Sequence, residues 1–259
     1  MLALAGAVSC AVASSAKAAA TPASATLSGN WAGYQVSAID SQPFSSVSGS
    51  WTEPSVNCST GQGYGSFWVG LGGVEPQSQA LEQIGTSANC GSDGTAAHFA
   101  WYELVPAAPV QLKTPISAGD LLSARVTVRG TAVTVSLADR TTGASFSKTL
   151  HMTDPDTSSA EWIAEAPSSC DAPGNCQPLP LSDFGTVEFS NASATAGGHT
   201  GQISDPAWTP QPIELNSAAA GYGQAGLVST DAVGGAAASS ICSRWVSSYE
   251  WPPFPGPAR

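Results

Sequence analysis

Cations are scarce in this sequence: 8 Lys and Arg stand against 19 Asp and Glu, a formal charge of −11. Neutralising nucleic-acid phosphates needs a basic footprint, and an anionic membrane surface attracts the same charge, so neither is an expected partner. Charged residues of both signs together are only 10% of the chain. Solvent-facing helices draw on Glu and Lys, so few are expected. Few cations also means few salt bridges for acid to break, a composition that suits acid and suits an ordinary exported protein equally. Long apolar runs are missing too. The stretch from Leu2 to Val12 is too short to span a bilayer. With the small residues from Ala16 to Ala20 behind it, it reads as a signal segment without the usual positive start. The expected division is a processing segment over 1–25, one domain over 26–251 and a Pro-rich tail over 252–259, in a secreted, monomeric protein with no membrane span in its mature form.

Several catalytic signatures are also absent. There is no GxSxG nucleophile elbow, no HExxH and no phosphate-cradling loop. His98, His151 and His199 lie in no recognisable motif for a Ser/His/Asp triad. No CxxC pair offers a zinc site, so no metal and no cofactor are expected. What is left to do chemistry is carboxylates and amides, acting through an activated water.

What is abundant is turn chemistry, with 27 Gly and 19 Pro. Between the turns lie short strand-like runs, among them Ser45–Thr52, Ser66–Leu71, Ala80–Ile84, Ala97–Val105, Ser145–His151 and Ser159–Ala164. Later runs are Val187–Phe189, Ile213–Leu215 and Ser240–Ser247. Ala124, Val126 and Val128 alternate with Arg125, Thr127 and Arg129 before Gly130 and Thr131 turn the chain, which reads as a hairpin over 121–138. The fold class is all-β, an antiparallel β-sandwich. An oxidising compartment favours pairing of the cysteines. Cys170 and Cys176 bracket the turn-forming string Asp-Ala-Pro-Gly-Asn; Cys58 is expected to bond Cys90, which leaves Cys242 over.

Five segments carry a resemblance. In order they are Asn30-Trp-Ala-Gly-Tyr34, Gly65-Ser-Phe-Trp-Val-Gly-Leu-Gly-Gly73, Leu81-Glu-Gln-Ile-Gly85, Ala100-Trp-Tyr-Glu-Leu-Val-Pro106 and Ser159-Ala-Glu-Trp-Ile-Ala-Glu165. Together, across about Asn30 to Asp205, they resemble the glutamic peptidases, or eqolisins. The resemblance implies two long curved sheets similar to a lectin-like jelly roll, with the active site on a concave face. It implies a catalytic pair, Gln83 and Glu165, with Trp68 and Glu103 nearby as substrate-binding residues, and protein or peptide substrates. It also implies that Gln83 and Glu165 sit on neighbouring strands with side chains on one face. The sequence departs from the fungal pattern at Gly72 and Phe99, where that pattern carries Asp.

The chemistry is coherent. A single Glu can deprotonate water and then protonate the leaving amine. Gln83 cannot titrate, but offers a fixed N–H donor and C=O acceptor for water and oxyanion. Period two puts Glu161, Ile163 and Glu165 on one face, the two acids about 13 Å apart along the strand. That exceeds the roughly 5–9.5 Å of a glycosidase pair. Between the two acids, only the family pattern selects Glu165. An unperturbed Glu pKa suggests an optimum at roughly pH 3–5. Two other readings stay open: a non-catalytic carbohydrate-binding sandwich using the Trp residues, and a β-glucan hydrolase using Glu103 and Glu165.

Overall fold

The computed structural model describes residues 25–215, apart from 76, 173 and 174, together with the strands 226–230 and 241–246. The expected signal segment, the Pro-rich tail and the side chains of Cys10 and Cys242 lie outside the described residues. Among the described residues there is no α-helix, and none therefore long and apolar enough to cross a membrane.

The strands in chain order are β1 (Thr26–Ser28), β2 (Trp31–Ala38), β3 (Phe44–Thr52), β4 (Ser66–Gly72), β5 (Leu81–Cys90), β6 (Ala96–Val105), β7 (Val110–Pro115), β8 (Leu121–Arg129) and β9 (Ala132–Asp139). They continue with β10 (Ser145–His151), β11 (Ser159–Glu165), β12 (Ser168–Ala172), β13 (Asn175–Pro178), β14 (Thr186–Ala196), β15 (His199–Gln202), β16 (Trp208–Leu215), β17 (Gly226–Thr230) and β18 (Ile241–Val246). A front sheet runs β1-β16-β2-β11-β4-β5-β6-β7, and a back sheet runs β10-β9-β8-β3-β14-β18-β17 with β15 on β14. The pairings are antiparallel except β1 on β16. The fold is the expected all-β sandwich.

Alternation builds the core. In β8 the buried Leu122, Ala124, Val126 and Val128 face inward, and β9 answers with Val133, Val135 and Leu137. The front sheet meets them with Phe67, Val69, Ile84 and Trp162. The predicted hairpin over 121–138 forms, with Arg129 opposite Ala132 across a two-residue turn. Cys58 is bonded to Cys90 (S–S 2.04 Å) and Cys170 to Cys176 (1.97 Å).

Several strands had no matching run in the sequence. β2 is one, because Gly33 breaks its pattern; at φ +142°, a Cβ there would fall 2.1 Å from the Trp162 carbonyl oxygen. β7 and β15 are short and largely exposed, and β12 and β13 are short runs of mostly polar residues, so no apolar period marks any of the four. β14 runs on well past Phe189, to Ala196, on alternating Ala, Ser and Thr.

Candidate functional site

Central strands of the front sheet are buried on both faces; every residue of β4 is. One face looks into the core. The other carries a second apolar cluster of Trp68, Leu81, Trp101, Ile163 and Ile213, with Trp31, Phe99 and Val105 packed against it. Trp31 meets Trp68 edge to face, with centroids 5.0 Å apart. Register assigns the polar residues of this second face. Glu165 stands opposite Trp31 on β2 and Ser66 on β4, and Ile163 opposite Trp68. Gly70 stands between Glu161 on β11 and Gln83 on β5, and Gln83 stands opposite Glu103 on β6. All four side chains therefore leave the same face.

The structure corrects one detail. Gln83 and Glu165 are not on neighbouring strands, because β4 runs between β5 and β11. It is Glu161 that lies level with Gln83 across Gly70, whereas Glu165 is four register pairs further along, level with Ser66 and Ser87. Trp68 spans that offset. Its indole Nε1–H donates to Glu165 Oε2 at 2.7 Å, while a Cβ on Gly70 would lie 2.9 Å from the far side of the Trp68 ring. On the other side, Asn30 Nδ2–H donates to Glu165 Oε1 at 3.1 Å. Both carboxyl oxygens are thus held, and the carboxyl cannot swing freely. Gln83 is held equally: its Nε2–H donates to Glu103 Oε2 at 2.7 Å. That leaves one amide hydrogen and the carbonyl oxygen, for which the described residues supply no acceptor or donor.

Electrostatics separate the acids. Burial pushes the Glu165 carboxyl up to about 7, against the pull of its Trp68, Trp31 and Asn30 donors, and the charge of Glu103 adds to the rise. Glu165 and the Gln83–Glu103 pair leave the same face of the sheet, on either side of β4. Burial also raises Glu103, and the Gln83 bond opposes it. Glu161 is fully buried at 0% exposure, and burial holds it well above the ordinary carboxyl range, with Asp156 and Glu82 adding to the effect. Glu165 keeps intermediate exposure. Glu165 is partly open to solvent as a residue, whereas Glu161 is closed off altogether.

The NWAG segment yields more than a landmark, since Asn30 bonds Glu165 and Trp31 packs on Trp68. Asp156 carried no signal. A Cβ on Gly72 would fall 2.4 Å from the Asp156 Cβ, so Asp156 fills the space that a side chain at position 72 would take. Its Oδ2 accepts Gly73 N–H at 3.0 Å and the Ser78 hydroxyl at 2.5 Å. An acid thus stands beside the position where the fungal pattern has Asp, delivered from a different loop. The histidines lie elsewhere: His98 Nδ1 is 3.0 Å from buried Glu53, and His199 Nε2 is 3.0 Å from Asp205. Among the described residues no group of three or more His, Cys, Asp or Glu is arranged to hold a metal.

Known proteins give the same outline. The Peptidase A4 family matches residues 29–232. Aspergillopepsin-2 of Aspergillus niger is 33% identical over 204 residues, which are 69% of this chain and 68% of that protein. A crystal structure of scytalido-glutamic peptidase with a peptide-based transition state analog superposes with a TM-score of 0.66 at 26% identity, covering 84% of this chain and 98% of that one. Aspergilloglutamic peptidase from Aspergillus niger gives 0.57 at 28% identity, over 71% of this chain and 99% of that one.

Proposed function

Since the chain belongs to the Peptidase A4 family and is a glutamic peptidase, we propose that it is a secreted acid endopeptidase in which Glu165 and Gln83 activate a water. The observation that carries this reading is the Glu165 carboxyl: held at both oxygens, raised to about 7, and on the same sheet face as the Gln83–Glu103 pair.

Glu165 takes a proton from the water, whose oxygen attacks the peptide carbonyl carbon. The remaining Gln83 Nε2–H donates to the oxygen on which negative charge develops. The C–N bond then breaks, and Glu165 passes its proton to the leaving amine, returning to its starting state. Glu103 and Trp68 act as positioning residues: one fixes the Gln83 amide, the other the Glu165 carboxyl. General acid–base efficiency is greatest when the catalytic pKa lies near the working pH. A base must be ionised to accept the proton from water, so activity is expected to climb through the weakly acid range toward about pH 7, above the range an unperturbed Glu suggests. Export is supported by the two disulfides, which persist in oxidising compartments.

The test is casein hydrolysis between pH 3 and 8 for the wild type, Glu165→Gln and Glu161→Gln. Glu165→Gln is expected to fall to background while Glu161→Gln keeps most of its activity. The reverse pattern would transfer the role to Glu161, and full activity in Glu165→Gln would remove the mechanism.

A further inference from the structure

The outer face of the back sheet, on the opposite side of the sandwich from the Glu165 cleft, has a composition that solvent exposure alone does not demand. Three register rows cross β10, β9, β8, β3 and β14. One row is Thr149, Thr134, Thr127, Ser46 and Thr195. The next is Ser147, Ser136, Arg125, Ser48 and Ser193. The third is Ser145, Ala138, Ser123, Ser50 and Ser190. Every position is Ser or Thr except Arg125 and Ala138. Thr favours strands and accounts for the first row, but Ser is not among the strand-favouring residues, so backbone preference does not account for the other two.

The charge on this face is as uneven. In a chain of net charge −11, no carboxylate projects outward from β3, β8, β9 or β10. Asp139, the only acid in those strands, turns inward and is 1% exposed. Arg125 and Arg129 leave the face from β8, and Arg140 stands at the turn after β9, all three exposed. The ion pairs among the described residues are the two made by His98 and His199, so none of these arginines has a carboxylate partner there. Arg125 has one polar contact of its own, Nη1–H to the Ser46 hydroxyl at 3.3 Å. Around Arg125 and Arg140 the face sinks into a groove of about 540 Å³ lined by hydroxyls of β3, β8, β9 and β10. Past Arg140 and Asn191 it continues into a second hollow, where the exposed Glu188 marks the edge of the basic region.

We infer that this groove is a second, non-catalytic binding site for an acidic polysaccharide. Aligned hydroxyls pair with sugar hydroxyls, and two unopposed guanidinium forks pair with uronate carboxylates, which they bind through two parallel hydrogen bonds. The site lies on the sheet face away from the peptidase cleft, so polysaccharide bound there leaves the cleft open. An acidic protein is repelled by a polyanion overall, so retention by one reports a local site.

The experiment is native affinity electrophoresis at pH 5.5 in gels containing polygalacturonate, dextran or poly-glutamate, with wild type and Arg125→Gln/Arg140→Gln. Both arginines are exposed, so the variant is expected to fold, and an unchanged thermal midpoint confirms it. Wild type is expected to be retarded by polygalacturonate alone, and the variant to bind at least tenfold more weakly. Casein hydrolysis by the variant is expected to be unchanged, which separates this site from the peptidase reading. Absence of retardation by polygalacturonate overturns the inference. Equal retardation of the variant, or retardation by poly-glutamate as strong as by polygalacturonate, overturns it too. The first puts binding elsewhere, and the second reduces it to charge without sugar recognition.

Discussion

Gln83 holds a neutral amide against a carboxylate, and its chemistry follows from that contact. Gln83→Ala removes the proposed oxyanion donor, so kcat is expected to fall on the order of 10²–10³-fold, with KM changing little. Gln83→Glu is the more telling change. It sets a carboxyl against Glu103, where Nε2–H now donates at 2.7 Å. Two carboxyls that close must share a proton and titrate as a pair. The pH–rate profile is expected to move, and a profile that keeps its shape while only its height drops would count against the assignment. On the other side, Asn30 lowers the Glu165 carboxyl by donating to its charged form. Asn30→Ala is therefore expected to raise that pKa, shifting the acid limb of kcat/KM toward higher pH. An unmoved limb would mean that another group sets it.

At the scale of elements, the site depends on how closely β4 and β5 approach. Gly85 stands opposite Trp68, and a Cβ on it would lie 2.2 Å from the Phe67 carbonyl oxygen and 2.5 Å from the Trp68 Cβ. These are a backbone atom and the root of a side chain, neither able to swing aside. Gly85→Ala must push the two strands apart and displace the indole that holds Glu165. A loss of about 2 kcal/mol is expected from overpacking of this kind, read by denaturant unfolding, with activity falling further than stability explains. The Cys58–Cys90 bond ties the loop before β4 to the end of β5 over a sequence separation of 32. Replacing both cysteines by Ala is expected to cost about 3–4 kcal/mol on the loop-closure argument.

Over the whole molecule, buried carboxyls set the response to pH. Burial raises Glu82 to about 8, Glu165 to about 7 and Glu161 well above its ordinary range. In the unfolded chain these groups ionise near the ordinary Glu value. Between that value and their folded pKa, the folded state binds more protons than the unfolded one. Stability must then fall as pH rises through this window, and acid costs these groups nothing. The midpoint of thermal unfolding is expected to drop steadily from pH 5 to pH 8, and Glu82→Gln to flatten the slope. A midpoint that rises over that range would contradict the folded-state protonation. Deep acid acts in the other direction on Asp139, Asp156 and Asp205, where desolvation is outweighed by hydrogen-bond donors that hold them below the ordinary range, so their stabilisation is lost once they are protonated.

The sequence by itself determined the class of the fold. Period-two alternation and dense Gly and Pro leave an all-β sandwich as the economical way to bury these side chains, and β8 with β9 is readable to the residue because its apolar period is unbroken. The five segments likewise singled out Gln83, Glu103, Glu165 and Trp68 as candidates by resemblance, and spacing alone put Glu161 and Glu165 too far apart to form a glycosidase pair. What tertiary structure decided was everything that depends on lateral order in a sheet. No local pattern says that β4 separates β5 from β11, that Gly70 leaves room for a tryptophan to span the offset, or that Asp156 fills the space beside Gly72. Pairing between strands far apart in sequence is settled by packing and register, which are properties of the assembled sheet. The carboxyl at about 7 belongs to the same category, since it arises from desolvation, and desolvation exists only once the front sheet has formed and its outer aromatic cluster has packed beside it.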